Sequence, residues 1–184
     1  MTALSGYYAA RWEGVGSEAY SKAAVLKVDS NELQLTANAR LALNAGVFTA
    51  WLQAHANGDT RLETMLERRF TEEYEVAFRA WLKTDPFTDP QAPAGPYFMP
   101  EFEQPAADRA AALADQAAVA FDEGGRANDT SDHFVGVTII LAAVLFLIAI
   151  GQRFKITGVR YGLTAVAASI LVYCIVLILA YPHA

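Results

Sequence analysis

Two stretches near the C-terminus restrict the fold more than anything else in this chain. Phe134 to Ile150 and Tyr161 to Tyr181 contain no charged residue. At a rise of ~1.5 Å per residue these runs are roughly 26 and 32 Å long as helices, close to the ~30 Å of hydrocarbon that a membrane helix must cross. Soluble core helices rarely run so far without a charged face. Both runs therefore read as membrane helices, with Tyr161 and Tyr181 flanking the second as interfacial aromatics.

The connection Gly151–Arg160 holds Arg153, Lys155 and Arg160 and no acid. So short a link makes the two helices antiparallel neighbours, and its positive charge favours the cytoplasmic side. The hairpin tip is expected inside and the rest of the chain outside; because Met1–Trp12 has no signal-peptide pattern, this needs a membrane helix ahead of Met1, the alternative being an inverted orientation with the large domain cytoplasmic. All twenty acids lie in residues 1–132 with eleven of the fourteen bases, a balance of −9. An acidic domain of this kind repels phosphate, which argues against a nucleic-acid partner and against lying on an anionic lipid surface.

Residues 1–132 read as an acidic helical domain outside the membrane, and 133–184 as the transmembrane hairpin. From about 7 to 56 no proline interrupts. Trp12, Ala19, Leu26 and Leu33 recur every seven residues, predicting one long helix or two nearly collinear ones, with polar Asn38 and Asn44 diluting the apolar stripe. A turn at Ala56–Asp59 precedes a capping box of Thr60 and Glu63. A second helix is expected over 60–84, with Leu62, Met65, Leu66, Phe70, Tyr74, Phe78 and Trp81 on one face.

Six of the seven prolines fall between 85 and 105, which excludes regular helix there. Phe87, Tyr97, Phe98 and Phe102 in the same segment are costly to leave in water. The segment is expected to wrap over the helices or to dock on a partner, and these four residues are the candidate partner-binding set. A third helix over 106–123 either breaks at Gly124–Gly125 or runs on into the membrane.

The chemistry of catalysis is thinly represented. Glu72, Glu73 and Glu75, and Asp122 with Glu123, are carboxylate clusters, but paired acids work only where a pocket separates their pKa values. Glu75 and Arg79 have the spacing of a surface ion pair. No phosphate loop, dinucleotide glycine pattern, nucleophile elbow or zinc-protease motif occurs. His55, His133 and His183 are scattered and the single cysteine, Cys174, lies within an apolar run, so neither a metal site, a cofactor nor a catalytic set is expected. Gly158, Gly162, Ala165 and Ser169 form a small-residue ridge that either packs on the hairpin partner or lets another helix approach closely.

Several short motifs carry a resemblance: Ala3, Ser5, Tyr7, Ala9, Ala10 and Trp12; Phe48, Trp51 and Leu52 before Gly58–Asp59; Phe78 with Ala80–Trp81–Leu82; Thr84–Asp85–Pro86; Phe98–Met99–Pro100–Glu101; and Ala127–Asn128. Together they resemble a family of uncharacterised bacterial membrane proteins with three membrane helices. The resemblance implies an inner-membrane location and a further membrane helix ahead of Met1, and it implies no activity. The sequence thus predicts an all-α integral membrane protein. Its expected role is a non-catalytic accessory subunit or homo-oligomeric scaffold, associating with itself or with a larger membrane complex in the lipid bilayer. The alternative is an oligomeric pore or a transport-associated component.

Overall fold

The computed structural model describes residues 2–153 and 157–180. Lys155 of the basic turn, Tyr181 and His183 lie outside the described residues. The described chain is helical, with no β-strand among these residues. It comprises α1 (Thr2–Ala56), α2 (Thr60–Glu67), α3 (Glu72–Leu82), a 3-10 turn (Pro96–Phe98), α4 (Pro105–Gly151) and α5 (Thr157–Ala180). Two of these, α4 and α5, are long and apolar enough to cross a membrane.

By packing, the chain divides into two units, 1–25 with 116–184 and 26–115, and not at residue 132. The composition changes at 132 because the acids stop there, whereas α1 and α4 each contribute to both units. In the first unit the start of α1 runs antiparallel to α4. Ser5 Oγ donates to the Phe134 carbonyl at 2.8 Å, and Ser131 Oγ donates to the Ala9 carbonyl at 2.9 Å. A serine hydroxyl is short, so these two reciprocal bonds require the helix backbones to lie unusually close.

Small residues make that approach possible. Buried Ser5, Ala9, Gly16 and Ala23 alternate with partly buried Trp12 and Ala19 in steps of three and four, which is the heptad of a two-helix seam. A Cβ on Gly16 would stand 3.3 Å from the Gly124 carbonyl oxygen, and one on Gly124 would stand 2.8 Å from the Tyr20 ring. Gly124 therefore does not break α4. It gives the Tyr20 ring a seat against the helix, where it meets Phe121 edge-on at 5.1 Å between centroids.

Further along the same unit, α5 returns against α4. Phe134, Val137, Leu141, Cys174 and Ile178 form a buried cluster with Ala9, edged by Tyr8 and Trp12. Cys174 is a free thiol buried among these apolar side chains. At the other end of the hairpin, Gly151 lies against Leu163.

The second unit differs from sequence expectation in the helix predicted over 60–84. It is two helices, with Arg68 to Thr71 between them. The apolar spacing persists across the break because Phe70 is itself buried in the core, so periodicity alone could not reveal it. The capping box is corrected too. The helix is capped by Asp59, whose carboxylate accepts from the Leu62 N–H at 3.0 Å, with Thr60 already inside the helix. Glu63 lies instead 3.3 Å from His55. Glu75 and Arg79 form the expected ion pair on the α3 surface.

Candidate functional site

The second unit is built around an aromatic core. Val47 and Trp51 of α1, Leu66 of α2, Phe70, and Tyr74, Phe78 and Trp81 of α3 are buried together. Aromatic pairs here meet mainly edge-on: Trp51 and Phe78 at 4.9 Å and 80°, Phe48 and Trp81 at 5.2 Å and 82°. That geometry matches the positive ring edge to the negative ring face.

The proline-rich segment wraps over this core as a strap. Trp81 Nε1 donates to the Pro93 carbonyl at 2.7 Å, and the Tyr97 hydroxyl donates to the Leu41 carbonyl at 2.7 Å. The strap passes beside the Phe48 ring at Gly95, where a Cβ would stand 3.5 Å from the ring. The four aromatics singled out from sequence therefore divide. Tyr97 and Phe102 pack on the core, stacked edge-on with each other and with Tyr74. Phe87 and Phe98 stay 54 % and 72 % exposed. Phe87 stacks on the His55 ring at 4.3 Å, leaving Phe98 as the most open aromatic of the strap.

One determinant of this arrangement is missed by apolar periodicity. Asn44, a polar residue that dilutes the apolar stripe, is 2 % exposed. Its Nδ2 donates to Thr71 Oγ1 at 2.9 Å and its Oδ1 accepts from the Thr71 N–H at 3.1 Å. Thr71 is the N-cap of α3 and makes no side-chain cap bond of its own. Asn44 thus satisfies a donor at the start of α3 from a different helix, fixing where α3 begins. The signal that could have found it is an uncharged amide exactly seven residues after Ala37 and seven before Trp51, on the buried side of the heptad.

Beside this pin lies a cavity of about 30 Å³, lined by Asn44, Thr71, Arg40, Glu73, Phe102 and the start of α4. It has room for about one water molecule. Arg40 and Glu73 pair across its rim at 3.1 Å, so that carboxylate is neutralised by a guanidinium. Glu75 is likewise taken by Arg79, while Glu72, Asp122 and Glu123 are exposed. Among the described residues no group of three or more His, Cys, Asp or Glu is placed to hold a metal ion.

Tyr74 is fully buried, and its hydroxyl has no hydrogen-bond partner among the described residues. Burial holds its phenol well above the ordinary tyrosine range, and the neighbouring Tyr97 phenol adds to the shift. Burial also raises Tyr97.

The small-residue ridge is on the outside. Gly158, Gly162, Ala165 and Ser169 are all exposed, with open space around both glycines. The face of α5 turned to α4 is instead Leu163, Ala167, Ile170, Cys174 and Ile178. Of the two readings open in sequence, packing on the hairpin partner is therefore not the one adopted. The Ser169 hydroxyl donates back to the Ala165 carbonyl at 3.1 Å, which leaves the ridge apolar.

Compared with known protein families, with curated proteins and with solved structures, the chain matches none.

Proposed function

We propose that this chain is a non-catalytic membrane protein, an accessory subunit or homo-oligomeric scaffold held in a bacterial inner membrane by the second half of α4 and by α5. Residues 1–132 are extracytoplasmic and the basic turn is cytoplasmic. The observation that carries the reading is the exposure of the two apolar helices. Only 28 % and 17 % of their most apolar stretches are buried. A core helix of a soluble protein would be mostly covered, so these side chains call for lipid or another apolar helix. The hydroxyls along them support the same reading: Thr138, Thr164 and Ser169 each donate to the carbonyl four residues earlier, at 2.9, 2.8 and 3.1 Å. A polar group satisfied within its own helix tolerates hydrocarbon.

The scaffold role rests on what the protein presents to others. The strap shows Phe98 to solvent, and the ridge on α5 offers close backbone approach to a second helix. The motif resemblance to three-helix bacterial membrane proteins agrees with this placement and adds no chemistry.

The test is an alkaline carbonate wash of membranes containing the full chain, followed by the mass of the detergent-solubilised protein and its conductance in planar bilayers. Retention in the pellet and a mass of two or more copies, or of a stable complex, with no conductance, is expected. Release by carbonate would overturn the membrane reading. A monomer without partners would overturn the scaffold reading, and single-channel conductance would replace it with a pore.

A further inference from the structure

The outer side of α1 in the second unit has a composition unlike the rest of the extramembrane chain. From Leu33 to Ala56 the helix contains one formally charged residue, Arg40, and that residue is turned to Glu73 of α3. The same domain elsewhere is dense in acids and carries −9 in total. At 100° per residue, Val28, Leu35, Ala42 and Thr49 stand on the side of α1 opposite the buried Ser30, Ala37, Asn44 and Trp51. All four are exposed. Leu35 is 70 % exposed.

Between them fall Asn31, Asn38 and Ala45, also exposed, giving steps of three and four from 28 to 49. This is a second heptad on a helix whose buried side already follows one. A helix wound to 3.5 residues per turn by its first seam keeps the second seam straight as well. Along this face Ala42 and Ala45, with Leu41, Asn38 and the Tyr97 ring, line a shallow groove of about 380 Å³. The neighbouring Gly46 has open space where a Cβ would stand.

We propose that this face is the contact between two copies of the chain, each laying its 28–49 seam along the other's. The occupant follows from charge. Of the positions flanking the seam only Lys27 and Glu32, at its first turn, are charged, so a partner steered by electrostatics finds little to bind. Two copies of a −9 domain can meet along such a face without juxtaposing like charges, Lys27 of one lying on the side of Glu32 of the other when the helices run parallel. Asn31 and Asn38 occupy the positions where an amide, both donor and acceptor, can bond its own symmetry mate. Such asparagines fix register in two-stranded coils. Alanine and glycine along the seam allow close approach, and shared anchoring in one membrane raises the effective concentration of the second copy.

This surface rests on the self-associating reading above, and the test separates the two. The full chain and its Ala42→Glu and Thr36→Glu variants are compared by sedimentation in detergent. Thr36 is exposed on another side of α1, so it controls for added charge. Like charges placed opposite one another weaken an interface by roughly tenfold or more. Ala42→Glu is therefore expected to raise the dimer dissociation constant at least about tenfold while Thr36→Glu leaves it unchanged, with the helical CD signal of both equal to that of the native chain. In a Cys174→Ala background, Ala42→Cys is expected to form an oxidised dimer and Thr36→Cys is not. An oligomeric native chain that Ala42→Glu leaves intact, and that Ala42→Cys fails to cross-link, overturns this surface and leaves self-association standing. A monomeric native chain overturns both.

Discussion

Replacing Asn44 by alanine tests the claim that α3 is positioned from α1. The substitution removes two hydrogen bonds, the Nδ2 donation to Thr71 Oγ1 and the acceptance from the Thr71 N–H, at 2.9 and 3.1 Å. Each is worth about 1 kcal/mol net, and a buried donor left unpaired costs about 1–3 kcal/mol. The adjoining cavity of about 30 Å³ admits a water to the vacated site, so the loss falls near the lower end, about 2–3 kcal/mol. At roughly 2–4 °C per kcal/mol for a chain of this size, the melting temperature falls by about 5–10 °C. Thermal unfolding in detergent can be followed by fluorescence, since Trp51 and Trp81 sit in the aromatic core that α3 completes. Thr71→Ala alone loses one partner, and the double variant should be less damaged than the sum, with a coupling of about 1 kcal/mol. A melting temperature unchanged by Asn44→Ala, or strictly additive single variants, would refute the pin.

Other expectations follow from the same geometry. Tyr74→Phe removes a buried hydroxyl with no partner, so it should leave stability unchanged or raise it by about 1 kcal/mol; a loss above that, in the same melting assay, would mean that the hydroxyl is bonded. The folded state holds the Tyr74 phenol neutral above its unfolded pKa of about 10. Stability is therefore kept below about pH 10 and lost as pH rises further toward the folded value, and Tyr74→Phe should flatten most of that alkaline decline. Gly16→Leu forces a side chain against the Gly124 carbonyl and should cost about 1–3 kcal/mol as overpacking, whereas Gly162→Leu, in open space, should leave the monomer fold intact by CD. Trp81→Phe deletes the bond to the Pro93 carbonyl and should make the 85–95 strap cleave faster under limited proteolysis.

What could be read in the sequence was whatever depends on length or on a run of one residue type. The two apolar helices were legible because an uncharged run of that length has few alternatives to helix, and the structure makes both helical and long enough to cross a membrane. The strap was legible because six prolines disfavour helix and aromatics are costly to leave in water; the structure lays Tyr97 and Phe102 on the core but leaves Phe87 and Phe98 exposed. The close packing of α1 on α4 in the first unit was not legible. Apolar periodicity marks Trp12, Ala19 and Leu26, while the tighter contact is made by Ser5, Ala9 and Gly16, whose side chains are small or absent. Asn44 was misread for a related reason: a buried amide is favourable only when its partners are in place, and Thr71 is twenty-seven residues away. The break before α3 stayed hidden because the core face continues across it through Phe70. The direction of the α5 ridge required knowing which face meets α4.

The membrane placement proposed above puts the hairpin in the bilayer and the strap outside. Single cysteines at Phe98 and at Arg153, each in a Cys174→Ala background, can be probed in spheroplasts with a membrane-impermeant maleimide. Phe98 is open to solvent on the strap and Arg153 is exposed in the turn just after α4. Labelling of Phe98→Cys in intact spheroplasts, and of Arg153→Cys only after permeabilisation, is expected. Labelling of Arg153→Cys from outside, with Phe98→Cys protected until the membrane is opened, would contradict that placement.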